Sequence, residues 1–255
     1  MTVIAAGVLG LVVGSFLNVV IARMPLREPQ DRSLRGRSRC LACDAPVRWH
    51  DNVPVVSFLV LRGRCRSCRE PYGVRYLAVE LLTGLLFAAV AGFGVLSGQG
   101  VLVVAIGCLF MAQLVAITFI DLRHRIIPNA ITLPGTIVGI ALWAIADPSR
   151  LLEVVLAAIG AYAVIFTIAF IKPQGMGMGD AKMVLLMGAF LGAPVAIAMF
   201  AGFLVGAIYG IGMMIAVGPR ARKATVPFGP FLALGGVLGW FVGQPLLDAY
   251  LATFR

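Results

Sequence analysis

Two aspartates stand where an acidic side chain is costly. Asp121 closes an apolar run in Phe119-Ile120-Asp121-Leu122-Arg123-His124-Arg125-Ile126-Ile127-Pro128-Asn129, and Asp180 opens another in Gly175-Met176-Gly177-Met178-Gly179-Asp180-Ala181-Lys182. A carboxylate in or beside hydrocarbon marks a functional site by default. Two carboxylates that share a site cannot both ionise easily, so one keeps a proton while the other stays charged. Aspartyl proteolysis needs that arrangement. The ionised member takes a proton from the attacking water, and the protonated member hydrogen-bonds the scissile carbonyl and later helps protonate the leaving amine. No Ser, His and acid set and no Gly-x-Ser-x-Gly elbow competes for the role. Gly175, Gly177 and Gly179 remove bulk beside Asp180, so that an extended substrate or another helix can approach. Taken alone, the glycine string fits a helix-start loop with Asp180 as its N-cap equally well. The pairing with Asp121 at one depth favours catalysis.

Three further residues border this chemistry. Lys182 follows Asp180 by two positions and is expected to support the site or its substrate. Glu80 lies about a turn inside an apolar run, either positioning substrate or holding the bundle through a partner such as Arg75. His124, between Arg123 and Arg125, reads as interfacial, and Glu153 as a solvated helix-start residue.

A second constellation is made of cysteines. Cys40-Leu41-Ala42-Cys43 and Cys65-Arg66-Ser67-Cys68 hold four of the five cysteines, with 21 residues between the pairs. Two residues between cysteines let both thiolates of a knuckle reach one tetrahedral ion, and a second knuckle completes a closed, structural four-thiolate zinc site. The reading of four free thiols or a redox pair stands beside it. A reducing compartment disfavours disulfides, and binding would organise a loop too small and arginine-rich to bury a core. A catalytic zinc would need an open position that four thiolates do not leave. Cys108 reads as a small core residue.

The elements that must position these groups are membrane helices. The chain has 255 residues, 60% hydrophobic and 13% charged, far from the balance of soluble domains. Its apolar residues come in runs near the roughly 20 needed to cross hydrocarbon. Candidate spans are Val3 to Ile21, Tyr76 to Leu96, Val101 to Ile120, Ile131 to Ala146, Leu151 to Ile171, Met183 to about Ala193, Val195 to Val217 and Phe228 to Val242. Met183 to Val217 as one helix would be about 52 Å long, too long for one crossing, so it should break at Gly192-Ala193-Pro194. The expected fold is an all-α polytopic membrane protein of about eight spans. It divides into a first helix (1–22), a four-cysteine cytosolic loop domain (23–75) and a membrane protease domain (76–255).

Charge placement orients the spans. Twelve of the 21 basic residues lie between Arg23 and Arg75. With eight crossings these join Arg123, Arg125, Lys172, Lys182, Arg220, Arg222 and Lys223 on one side, which is the cytosolic one. Both termini are then expected outside and the large loop in the cytosol. The first run has no basic residues before it and no convincing cleavage site, so it reads as a retained span. The formal charge of +10 needs no nucleic acid, because basic loops facing anionic lipid account for it.

The chain resembles the bacterial type IV prepilin peptidases. The resemblance rests on Gly14-Ser15-Phe16-Leu17-Asn18-Val19-Val20-Ile21-Ala22-Arg23, the cysteine pairs, Tyr76-Leu77-Ala78-Val79-Glu80-Leu81-Leu82, the Asp121 and Asp180 stretches, and Pro227-Phe228-Gly229-Pro230. It implies catalytic roles for Asp121 and Asp180, with removal of a basic leader from prepilins or pseudopilins after a glycine at the cytosolic face. It also implies N-methylation of the new terminus with S-adenosylmethionine, for which no glycine-rich nucleotide fingerprint stands between Arg23 and Arg75. Asn129 occupies a position where relatives often carry aspartate. The insert Arg32 to Arg39 reads as a lipid-facing strip or as a contact to pilus or secretion assembly proteins. Two rivals remain: a proton- or cation-coupled transporter using Asp121, Asp180 and Glu80, and an assembly factor docking through its zinc loop. The transporter should carry charged steps across the bilayer, and the assembly factor leaves the two aspartates without a purpose.

Overall fold

A computed structural model describes residues 1–25, 39–40, 42–71, 73–171, 176–218 and 226–254. Most of the arginine insert, Lys172, Gly175 and the cluster of Arg220, Arg222 and Lys223 lie outside the described residues. The helices are α1 (Thr2–Arg23), α2 (Val56–Val60), α3 (Arg75–Leu96), α4 (Val101–His124), α5 (Asn129–Ala146), α6 (Leu151–Ile171), α7 (Met178–Leu191), α8 (Val195–Val217) and α9 (Gly229–Ala252). Among the described residues, seven helices are long and apolar enough to cross a membrane: α1, α3, α4, α5, α6, α8 and α9. The expected eighth, α7, has 14 residues and a length of about 21 Å. That is shorter than the roughly 30 Å hydrocarbon core.

The chain forms two compact units, Met1–Ala116 and Ile117–Arg255. In the first, α1 and α3 run antiparallel at close range. A Cβ added at Gly10 would sit 2.7 Å from the Thr83 carbonyl oxygen, and one at Gly14 would sit 2.7 Å from Glu80 Cα. Apolar side chains have little reason to leave lipid for one another, so membrane helices associate through such small-residue contacts. Replacing Gly14 by Val should wedge the pair apart and cost about 1–3 kcal/mol. The check is the thermal midpoint of the detergent-solubilised chain, which should fall.

In the second unit α7 is the buried centre, packed by α5, α6 and α9, with Asp180, Met183, Leu186, Met187 and Phe190 all buried. Its C-terminal end is stitched by polar contacts that the apolar pattern does not encode. Trp143 Nε1 donates to the Phe190 carbonyl at 3.0 Å. Glu153 accepts from the Ala193 amide at 2.9 Å and pairs with Arg150 at 3.5 Å. Glu153 therefore ties α6 to the α7–α8 turn rather than simply facing solvent. The predicted break is present, with Gly192 at φ 69°, a left-handed conformation that glycine adopts without a Cβ penalty.

The last helix is longer than its apolar run suggested. The expected span runs from Phe228 to Val242, yet α9 continues through Pro245 to Ala252. Gly243 is the reason visible in the packing: a Cβ there would lie 2.8 Å from Pro194 Cβ, so the small residue keeps α9 in contact with the α7–α8 turn.

Candidate functional site

Three helix ends converge at the other end of the second unit: the C-terminus of α4, carrying Asp121, and the N-termini of α7 and α9. Asp121 is 5% exposed and Asp180 9%. Asp121 Oδ2 accepts the backbone N–H of Gly229, the first residue of α9, at 2.9 Å. Asp180 Oδ2 accepts the N–H of Gly177 at 3.0 Å. The two carboxylates lie within electrostatic range of each other. Each is thus held through one oxygen by a backbone donor, which fixes the side chain without neutralising it.

The glycines sort into different tasks. Gly177, not Asp180, is the N-cap of α7, and Asp180 is the third helical residue reaching back to the cap amide. This is the reverse half of a capping box. It answers the N-cap alternative: Asp180 serves the helix start while remaining at the meeting of the three ends. A Cβ at Gly179 would come 3.1 Å from Ile127 Cβ, and one at Gly229 would come 2.7 Å from Asp121 Oδ2. Gly179 therefore lets the segment after α4 lie against α7, and Gly229 lets α9 approach Asp121. Gly229 was not singled out as a site residue, because its contribution is a main-chain N–H; its signal was its place in the Pro227-Phe228-Gly229-Pro230 motif.

Lys182 donates to Asn129 Oδ1 at 2.9 Å and so links the N-terminal turns of α7 and α5. Glu80 lies in the first unit. Its partner is the Val55 amide at 2.8 Å and not Arg75, whose guanidinium lies over the Tyr76 ring.

The first unit also carries the four-cysteine cluster. The Sγ atoms of Cys40, Cys43, Cys65 and Cys68 all lie within 4.8 Å of one another, with Cys40 and Cys68 at 3.7 Å. Zinc–sulfur bonds of about 2.3 Å at tetrahedral angles require sulfur atoms about 3.8 Å apart, so the four thiols fit zinc. The two knuckles are built alike. Cys40 N–H donates to Ala45 O and Asp44 N–H to Cys40 O; Cys65 N–H donates to Glu70 O and Arg69 N–H to Cys65 O. Asp44 and Arg69 both have positive φ, and short bridges pair Arg39 with Pro46 and Arg64 with Pro71. The shared pattern Arg-Cys-x-x-Cys-x-x-Pro is visible in the sequence. Backbone amides of Cys68 and Ser67 pull the Cys65 thiol below its ordinary value. Arg66 holds the second knuckle to Asp51 through contacts of 2.9 and 2.6 Å, and its guanidinium lowers the Asp51 carboxyl below the usual range.

The comparisons with known proteins bear on both units. A family model described as the bacterial Peptidase A24 N-terminal domain matches residues 8–93, and one described as the type IV leader peptidase family matches residues 108–211. A protein named prepilin leader peptidase/N-methyltransferase from Aeromonas hydrophila is 35% identical over 271 residues, covering 96% of this chain and 92% of its own length. Its namesake in Stutzerimonas stutzeri is 31% identical, covering 99% and 95%. Another in Myxococcus xanthus strain DK1622 is 41% identical over 227 residues, covering 86% of this chain and 64% of its own length. No solved structure matches the chain significantly. Helices, buried carboxylates and relatives together define a multi-pass membrane peptidase. The chain belongs to the type IV leader peptidase family. The transporter reading is not favoured.

Proposed function

We propose that the chain removes the leader from type IV prepilins or pseudopilins with Asp121 and Asp180 as its catalytic pair, and then N-methylates the new terminus. The observation that carries the cleavage chemistry is the pair itself: two buried carboxylates on different helices, each pinned by one backbone N–H. The ionised member takes a proton from water as the water oxygen adds to the scissile carbonyl, and the other carboxyl hydrogen-bonds the developing oxyanion. Collapse of the tetrahedral intermediate transfers a proton to the leaving amine. Gly177 gives the substrate backbone room beside Asp180, Gly179 lets the segment after α4 pack against α7, and Lys182 with Asn129 keeps the α7 start in place.

Orientation follows from charge. Eight alternating crossings, with α7 as a short one inside the protein, put the Asp121 end, the Asp180 end and the four-cysteine loop on the cytosolic face of the bacterial inner membrane, with both termini outside. A prepilin leader is cytosolic and basic, so the cut falls where the leader meets lipid. The chain then works as a first helix, a zinc-organised loop and a membrane protease domain. Anionic lipid contacts the basic loops, and the arginine insert offers a surface to pilus or secretion assembly proteins. S-adenosylmethionine is the methyl donor that the relatives' name implies, and it would supply an activated methyl group.

The test is incubation of a purified prepilin with the detergent-solubilised chain and mass spectrometry of the product. Cleavage after a glycine with the added mass of a methyl group is the expected result. An intact substrate that a relative can cut would refute the assignment.

Zinc has its own consequence. Cys65→Ser, or a strong chelator, is expected to release the metal and expose the 39–71 loop to protease, because four-thiolate binding contributes about 10 kcal/mol or more to folding in such sites. Metal content and limited proteolysis report it. A loop that keeps its protection without metal contradicts the structural role.

A further inference from the structure

The first unit holds two polar side chains that the cleavage chemistry does not use. Asn18, on α1, is 3% exposed. Its Nδ2 donates to the Tyr76 carbonyl at 3.0 Å, which fixes the amide orientation, since a carbonyl can only accept. Its Oδ1 is buried with no partner among the described residues. Glu80, one turn along α3 from Tyr76, is also buried. Its Oε2 accepts from Val55 N–H, and no cation pairs with it among the described residues. Gly14, one turn before Asn18, lies directly against Glu80, so Asn18 covers the Tyr76–Glu80 turn of α3.

A buried carboxylate without a cation and a buried amide oxygen without a donor are each costly when left alone. Both are acceptors. The ligand that satisfies them together is a donor-rich, cationic group, and an amine is the simplest. Methyl transfer to a new N-terminus must hold just such a group, the α-amino nitrogen that cleavage exposes.

We propose that Asn18 and Glu80 seat the α-amino group of the leaderless pilin for N-methylation. The proposal rests on the methyl-transfer reading above. Glu80 accepts a proton from the ammonium, giving a neutral amine. The amine lone pair then forms the N–CH3 bond as the methyl leaves a sulfonium donor, the C–S pair staying on sulfur. The product is a methylated ammonium and a neutral thioether, and Glu80 later returns its proton to water. Asn18 Oδ1 accepts a second N–H and aims the lone pair. Glu80 therefore does more than anchor the loop through Val55.

The experiment uses the full chain in detergent and a fluorescent peptide that begins at the mature pilin N-terminus, with its amine free or acetylated and no methyl donor present. Wild type should bind the free amine about tenfold to a hundredfold more tightly than the acetylated form. Glu80→Gln keeps an oxygen for the Val55 amide but loses the charge, and should bring the ratio close to unity while zinc content stays that of wild type. Asn18→Leu, which cannot accept, should narrow the ratio independently. Equal binding of both peptides by wild type overturns the proposal, as does an undiminished preference in Glu80→Gln that still holds zinc. Methylation with S-adenosylmethionine added is scored separately. A wild-type chain that cleaves but never methylates refutes the methyl-transfer reading, whereas methylation without any amine preference refutes only the seat.

Discussion

Asp121→Asn and Asp180→Asn are each expected to slow leader cleavage by about a thousandfold or more. Asparagine matches aspartate in shape and can still accept the Gly229 or Gly177 amide, so the local fold should survive. What is lost is the single shared proton. An amide at either position can neither take a proton from water nor give one to the leaving amine. The double substitution should be scarcely worse than either single one, because the two groups act as one device and their losses do not add. The check is single-turnover cleavage of a purified prepilin by the four proteins, with helix content and zinc unchanged. Losses that multiply in the double variant would indicate two independent roles.

Gly229→Val should be the most damaging change outside the pair, lowering the rate by about a hundredfold through displacement of Asp121. A Cβ at this position meets Asp121 Oδ2 at 2.7 Å, its Cγ at 3.2 Å and its Cβ at 3.3 Å. Either the carboxylate turns away or the start of α9 withdraws and its N–H is lost. The effect is steric and electrostatic, since Gly229 does not have a positive φ. Gly210→Val on α8 is the control, because a Cβ there meets nothing within 4 Å. The expected result is a fall in kcat for Gly229→Val with little change in KM, and kinetics close to wild type for Gly210→Val.

What the sequence made legible follows from which groups carry the interactions. Run length gave seven of the eight expected membrane helices, because lipid tests every residue of a span. Gly192-Ala193-Pro194 gave the hairpin because only glycine takes its turn freely. The cysteine spacing gave the cluster because tetrahedral geometry constrains the side chains themselves. The contacts that were missed run through main chain. Gly229 donates a backbone N–H, Glu80 receives one from Val55 and not a charge from Arg75, and Glu153 receives one from Ala193. A main-chain partner has no residue type to recognise. The extension of α9 past Gly243 was hidden for a related reason, since a glycine that packs helices reads the same as one that ends them. The cost of acid beside lipid singles out Asp121 and Asp180, but it does not reveal that the Gly229 N–H at the start of α9 meets Asp121.

Asp121 and Asp180 are expected to share one proton in the cleavage step. The most direct test is the pH dependence of kcat/KM for prepilin cleavage by the purified chain. A bell-shaped profile is expected, because the fully protonated pair has no base and the fully ionised pair has no acid. A rate that rises to an alkaline plateau without a second limb would contradict the shared-proton pair and point to a different nucleophile.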